Sequence, residues 1–336
     1  MQLHIHPFNL ELKQTFRISH TARDAQPTVV VELRDGNFSG FGEATATSYY
    51  GLTQAGMIED LEKLRPIIEV SKIESPEDWW EEMAPHLQGQ TFIQCALDIA
   101  AHDLYAKKLG TPLYKHWGLS TEKTPLSNYT IGIASIPEMV EKIKAQPWPI
   151  YKIKLGTDDD LAIIKELRQH TSAIFRVDAN CAWTAEQTIE YAPKLKQMGV
   201  EFIEQPLPKE DFEGMKEVFA HSVLPVIADE SCQTETDVKR CHGHFHGINI
   251  KLMKCGGLTP ARRMIAEAKK LGMKVMVGCM TESTVGISAI GQLLPLLDYV
   301  DMDGPLLIKN DVASGVQVID GKAHYPNVNG TGAQLL

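Results

Sequence analysis

The chain lacks the features that would send it to a membrane, a nucleic acid or an oxidising compartment. No segment approaches the roughly 20 consecutive apolar residues that a membrane-spanning helix needs. The start, MQLHIHPFNL, has none of the basic-then-apolar layout of a secretory signal. No basic run occurs, and 33 Lys and Arg against 43 Asp and Glu give a formal charge of -10, which argues against a nucleic-acid partner. The six cysteines (Cys95, Cys181, Cys232, Cys241, Cys255 and Cys279) never fall in a Cys-x-x-Cys pair. That pattern favours reduced thiols and a cytoplasmic address over a disulfide framework. Low-complexity tracts are absent, and no G-x-G-x-x-G opens a helical stretch, which counts against a Rossmann-type open sheet.

What remains is an ordinary globular composition, 43% hydrophobic and 23% charged over 336 residues. That length suits one large α/β barrel with an accessory domain. Up to about residue 120 the signals are mixed. PTVVVELRDGNFSGFGEA reads as a hairpin around Asp-Gly. LTQAGMIEDLEKLRPII, PEDWWEEMAPHL and FIQCALDIAAHDLYAKKLG then read as helices. Residues 1–120 are therefore expected to form an α+β capping domain.

From residue 121 to about 310 the texture becomes a steady alternation. NYTIGI, YKIKLG, IFRVDAN, EFIEQPL, PVIADES, GINIKL, KVMVGCM and YVDMDGP are eight short strand candidates, most of them separated by amphipathic stretches. Eight such units predict a parallel (β/α) barrel, closed rather than open. The segment 311–336 reads as irregular and is expected to pack with the capping domain.

YKIKLG poses an electrostatic problem. Lys152 and Lys154 are two apart, so in a strand they share a face. Adjacent ammonium groups repel, and lysines are seldom buried without partners. On an exposed edge they would need no explanation. In a barrel, however, the strand ends form the working surface, and the other strand ends supply acids. Lys154, Asp178, Glu204, Asp229 and Lys251 follow one another at steps of 24, 26, 25 and 22 residues, one β/α unit each. The shared register places them around one mouth, where Asp178, Glu204 and Asp229 form a hard-oxygen cluster suited to Mg²⁺. Read singly, each acid is a helix cap or a surface carboxylate. Lys251, on the sixth strand, falls across the barrel from Lys154 on the second. Two opposed lysines can take a proton from one face of a substrate and return one to the other, provided their pKa values are lowered. Lys254 reads as a helix-entry or supporting residue. CHGHFHG, Cys241 to Gly247, looks zinc-like but precedes the sixth strand, and is read as a polar loop at the opposite end of the barrel.

At these residues the sequence resembles the enolase superfamily, in its muconate-lactonizing-enzyme subgroup and particularly its dipeptide epimerases. The resemblance spans nearly the whole chain: FGEA and ALDIAAHDLYAKKLGTPLYKHWG in the front part, then KIK, RVDAN, IEQP, IADES, NIKLMKCGG and Asp-Met-Asp in order. Enolase-superfamily sites pair a Lys or His base with Mg²⁺. The resemblance implies Asp178, Glu204 and Asp229 as Mg²⁺ ligands, Lys154 and Lys251 as the acid/base pair, and Lys152 as a contact for the substrate carboxylate. It also implies that Asp301 and Asp303 receive the α-ammonium of a dipeptide, which dianionic cycloisomerase substrates would not require. Thr130 and Cys279 are further expected substrate contacts, and Tyr49 and Tyr50 are either pocket residues or packed loop aromatics. Ala-Glu epimerases carry an arginine in the first loop. Here that position falls near Thr21, with Arg17 and Arg23 flanking it, so small or neutral second residues are expected. The reading that follows is a dipeptide epimerase acting on Ala-Xaa. N-acylamino acid racemase, cycloisomerase and a non-catalytic metal-binding barrel are the alternatives, and homo-oligomerisation is left open.

Overall fold

In the computed structural model, which describes residues 1–18, 21–87 and 89–336 (the side chains of residues 16–18 and 21 excepted), the chain opens with an antiparallel sheet. Its strands are β1 (Gln2–Ile18), β2 (Thr21–Asp35) and β3 (Phe38–Thr45), hydrogen-bonded in that order. The reversal between β2 and β3 places Gly36 at φ 60°, the left-handed geometry that makes Asp-Gly a hairpin signal. Three helices follow, α1 (Gln54–Val70), α2 (Pro76–Leu87) and α3 (Thr91–Lys108). Gly40 and Gly42 sit two apart in β3 and share a face. A Cβ at either would run into the Ala100 or Ala96 carbonyl of α3, so these glycines let helix and strand meet backbone to backbone.

The second unit is a ring of eight parallel strands: β4 (Tyr129–Ile131), β5 (Ile150–Lys154), β6 (Ile174–Asp178), β7 (Val200–Glu204), β8 (Val226–Ala228), β9 (Gly247–Ile250), β10 (Lys274–Gly278) and β11 (Tyr299–Asp301). Each pairs with its sequence neighbours, and a parallel bridge from Ser127 to Val300 joins the last strand to the first. This is a (β/α) barrel capped by an α+β domain. Residues facing the helices, such as Tyr151, Ile153 and Val177, belong to the main hydrophobic core. Phe202, Ile227 and Met276, with Tyr299 against them, form a separate apolar cluster. Each stands two residues before a strand-end position, and the buried Arg176 guanidinium stacks over Phe202 and Tyr299 at 5.4 and 5.1 Å, so the layer beneath the mouth combines apolar rings with one cation.

Cap and barrel are joined by buried acids that accept backbone N–H groups. Glu43 of β3 takes Ser283 N at 3.1 Å and Gly286 N at 3.2 Å, at the start of the helix Thr284–Leu293. Asp98 of α3 takes Thr259 N at 2.9 Å, at the start of the helix Leu258–Lys270. Carboxyl oxygens can accept the unpaired N–H groups of a helix N-terminus, and both of these helices begin shortly after strands that end at the mouth. The segment 311–336 runs between the two units. Ala313 packs with Val30 and Val285, Val316 N donates to Ser288 Oγ, and Thr331 N donates to Asp103 Oδ1 of α3. Among the described residues no helix is long and apolar enough to cross a membrane.

Candidate active site

A cavity of about 560 Å³ lies between the cap and the strand ends, and Lys152, Lys154, Asp229, Lys251, Asp301 and Asp303 are among its walls. Lys152 is 2% exposed yet has three counter-charges: Glu204 Oε2 at 2.9 Å, Asp178 Oδ2 at 3.1 Å and Asp301 Oδ2 at 3.2 Å. Burial alone would lower its pKa, but these carboxylates outweigh burial and hold it well above the usual lysine value. Lys154 Nζ donates to Asp178 Oδ2 at 2.6 Å. The two ammonium groups of YKIKLG are thus accommodated by acids from β6, β7 and β11.

On the far side, Asp229 is shared. Lys251 Nζ donates to Oδ2 at 2.8 Å and Lys254 Nζ to Oδ1 at 2.7 Å. Lys251 follows β9 and Lys154 ends β5, four places apart in a ring of eight, so they stand on opposite walls. Lys251 is pulled in two directions. Burial pulls the pKa down, but Asp229 then raises it and the net direction is upward.

The acids divide in the same way. Burial would raise Asp178, yet Lys154 and Lys152 bring it down to about 2. Asp229 is also held low, by Lys251 and Lys254 against burial. Glu204 goes the other way, up to about 7, through burial and then the Asp178 charge. Asn249 Nδ2 donates to Glu204 Oε1 at 2.8 Å. Glu204 Oε2 lies within ion-pair distance of Lys152 but off any hydrogen-bond direction, and so lacks a donor. Asn180 Oδ1 and Glu230 Oε2, also buried, are in the same condition. Buried orphan oxygens are costly unless something fills the gap. Oxygen donors from three consecutive strands, one with an unclaimed lone pair, fit a hard divalent cation such as Mg²⁺.

The backbone is bent to deliver these groups. Asn180 and Cys181 take φ of 44° and 66°, and Gln205 takes 34°, all left-handed and all just beyond a carboxylate strand end. Such geometry in non-glycine residues persists only when surroundings enforce it. Gln205 shows how: its Oε1 accepts Asp229 N at 3.0 Å and Ser231 N at 3.1 Å, stapling the end of β7 to that of β8.

Across the ring, Asp301 Oδ1 accepts Asn128 Nδ2 at 2.8 Å. Asp303 lies just past β11, at the entry to the short helix Gly304–Leu307, rather than on the strand itself. Its Oδ2 accepts the backbone N–H of Thr130 at 2.6 Å, and burial followed by the Asp301 charge lifts its pKa to about 7. Cys279 Sγ is 3.8 Å from Asp303 Oδ1. Cys279, Asp301 and Asp303 can each offer a ligand atom within 4.8 Å of one another.

Of the cap residues, Arg23 reaches the barrel, with Nη2 donating to Thr281 Oγ1 at 2.8 Å, and Tyr49 and Tyr50 line the cavity. The readings of Arg17 and Thr21 concern side chains outside the described residues. The CHGHFHG histidines do not converge: His244 Nδ1 contacts Arg240 O, and His246 Nδ1 accepts Val226 N. Asn249 and Gln205 went unnoticed in the sequence, although Asn249 stands two before Lys251 and so shares its face, the one signal that pointed inward.

Residues 2–118 match the model of the mandelate racemase / muconate lactonizing enzyme N-terminal domain, and residues 136–336 that of the enolase C-terminal domain-like family. An L-Ala-D/L-amino acid epimerase from Flavobacterium johnsoniae is 58% identical over all of both chains. An L-Ala-D/L-Glu epimerase from Bacteroides thetaiotaomicron is 40% identical over 100% of this chain and 88% of its own. A dipeptide epimerase from Cytophaga hutchinsonii, solved with Mg and D-Ala-L-Val, superposes with a TM-score of 0.93 at 26% identity, covering 100% of this chain and 96% of that one. The chain belongs to the mandelate racemase / muconate lactonizing enzyme family of the enolase superfamily, among its dipeptide epimerases.

Proposed function

We propose that this epimerase inverts the α-carbon of the second residue of Ala-Xaa dipeptides, with small or neutral Xaa preferred, using Mg²⁺ and two opposed lysines. The observation that carries the reading is the placement of Lys154 and Lys251 on opposite walls, with Asp178, Glu204 and Asp229 between them. The Mg-bound dipeptide complex of the C. hutchinsonii relative supports the metal and the substrate class.

Asp178, Glu204 and Asp229 would hold the cation. When bound, Mg²⁺ supplies Lewis-acid polarisation of the substrate carboxylate, which makes the α-proton removable. Lys152, pinned among acids, stays charged and offers a fixed ammonium to the negative charge that develops on the carboxylate oxygens. Lys154 or Lys251 takes the α-proton, and the lysine opposite donates one to the other face, which inverts the carbon. Asp301 and Asp303 receive the α-ammonium at the other end of the dipeptide and fix which residue lies between the lysines.

Incubation of dipeptides with enzyme and Mg²⁺ in D₂O, followed by proton NMR, tests the reading. Loss of the second residue's α-proton signal with appearance of the diastereomer is expected for Ala-Ala and Ala-Val. No exchange with any dipeptide would move the assignment to N-acylamino acids or cycloisomerase substrates. Ala-Glu preferred tenfold or more over Ala-Ala would overturn the specificity.

A further inference from the structure

The substrate cavity has a neighbour. A second cavity, of about 430 Å³, lies beneath the turn between β3 and α1, with Met57, Phe92 and Ile93 of the cap and Gln233 and Thr234 of the barrel in its walls. Tyr50, Leu52, Thr53 and Lys254 line both cavities. One layer of side chains therefore separates the two spaces.

That layer is built on a tight loop. Thr47 and Leu52 exchange backbone hydrogen bonds of 3.0 and 2.9 Å, and Gly51 turns the chain at φ 69°. Tyr50 is the largest of the shared residues. Its ring packs on Phe92, with centroids 5.4 Å apart, and against the edge of Tyr49 at 4.9 Å. Its hydroxyl lies near the Lys254 ammonium, and Lys254 lines both cavities with it. The side chain thus spans from cap to barrel between the two cavities.

The order of the ring relates this wall to the substrate. β11, with Asp301, is opposite β7, and β4, with Thr130, is opposite β8. A dipeptide with its ammonium at Asp301 and Asp303 runs across the mouth, so its second residue lies on the β7–β9 side. The proton leaves and returns along the line from Lys154 to Lys251. The other three substituents of the α-carbon stay near the plane across that line, whichever enantiomer is bound. The carboxylate occupies the direction of the acids and the nitrogen that of β11, which leaves the side chain pointing toward the cap and the turn at 47–53. The second cavity continues that direction, beyond Tyr50.

We propose that Tyr50 is the specificity-determining wall for the second residue, and that the cavity behind it is a latent subsite for long or aromatic side chains. The inference rests on the dipeptide-epimerase reading. With Leu52, Met57, Phe92 and Ile93 beside the amide and hydroxyl groups of Gln233 and Thr234, the subsite suits an aromatic side chain with a polar tip, such as tyrosine.

The test compares kcat/KM for Ala-Tyr and Ala-Ala in the wild type, Tyr50→Ala and Tyr50→Phe. Tyr50→Ala also removes the ring beside Lys254, which stays paired with Asp229, so turnover of every dipeptide is expected to fall; the ratio of the two substrates within one enzyme cancels that loss. The ratio Ala-Tyr to Ala-Ala is expected to rise at least about tenfold in Tyr50→Ala, within the range by which a hydrophobic pocket discriminates, and to stay at the wild-type value in Tyr50→Phe. If Tyr50→Ala does not fold, Tyr50→Leu supplies the same comparison. An unchanged ratio in the truncated variant, or an equal change in Tyr50→Phe, overturns the wall. A wild type that inverts no dipeptide overturns the underlying reading instead.

Discussion

Lys154 and Lys251 stand on opposite walls of the barrel, and each is bound to a different carboxylate, Asp178 Oδ2 at 2.6 Å and Asp229 Oδ2 at 2.8 Å. On the proposed mechanism each lysine serves one face of the substrate, so removing one should leave the other able to exchange the proton on its own side. Lys154→Ala and Lys251→Ala are each expected to lower epimerisation by about 10²–10⁴-fold. Residual deuterium exchange should be confined to one diastereomer in the first variant and to the opposite one in the second. Proton NMR in D₂O, started from each pure diastereomer, reads this directly. A variant that epimerises near the wild-type rate would remove its lysine from the mechanism.

On the proposed ligand set, Lys152 and a bound cation would act on the same acids, and their effects on stability should overlap. Lys152→Met leaves Asp178, Glu204 and Asp301 without their shared ammonium. Breaking a buried ion pair in this way costs about 3–5 kcal/mol. Urea unfolding is expected to show that loss in EDTA and a smaller one in saturating Mg²⁺, since the cation supplies positive charge to the same oxygens. Equal losses in the two conditions would mean that lysine and metal occupy separate fields.

Much of this site is legible in the sequence. The eight strand candidates fall on β4 to β11 because a short apolar run followed by an acid or lysine has few other uses in a chain of this length. The step of 22 to 26 residues is a property of the β/α unit, so Lys154, Asp178, Glu204, Asp229 and Lys251 could be placed on one rim. Contacts that depend on distant backbone were hidden. Nothing local marks Asp98 as the partner of Thr259 N, or Glu43 as the partner of Ser283 N, 240 residues on.

Asp303 should impose a pH dependence on dipeptide binding. Its carboxyl is lifted to about 7 by burial and then by Asp301, and an ammonium is attracted only to the ionised form. For dipeptides with a free amino group, kcat/KM is expected to fall as pH drops through about 7. Asp303→Asn should lower kcat/KM and remove that part of the profile, while N-acetylated Ala-Ala should be insensitive to the substitution. A wild-type and variant profile of the same shape for Ala-Ala would take Asp303 out of ammonium recognition.

The buried pair Asp98 and His102 offers a test at the joint between cap and barrel. Burial lifts Asp98 from 3.8 to about 7 and lowers His102 from 6.5 to about 3, so both are neutral in the folded chain near pH 6. Their contributions to stability run in opposite directions. Asp98 binds its proton more tightly when folded, so its contribution is full below about 4 and is lost as pH rises through about 7. His102 binds its proton less tightly when folded, so its contribution is present above about 6.5 and is lost as pH falls toward 3. In the wild type the two slopes offset one another. Asp98→Asn keeps an acceptor for Thr259 N and a polar group beside the Thr259 hydroxyl, which donates to Asp98 Oδ1 at 2.7 Å, while removing the ionisation. The stability of this variant relative to wild type is expected to rise between pH 4 and pH 7, by on the order of 4 kcal/mol at most. Urea unfolding at intervals across that range measures it. A constant difference would mean that Asp98 remains ionised in the fold, with the N-terminus of Leu258–Lys270 outweighing its burial.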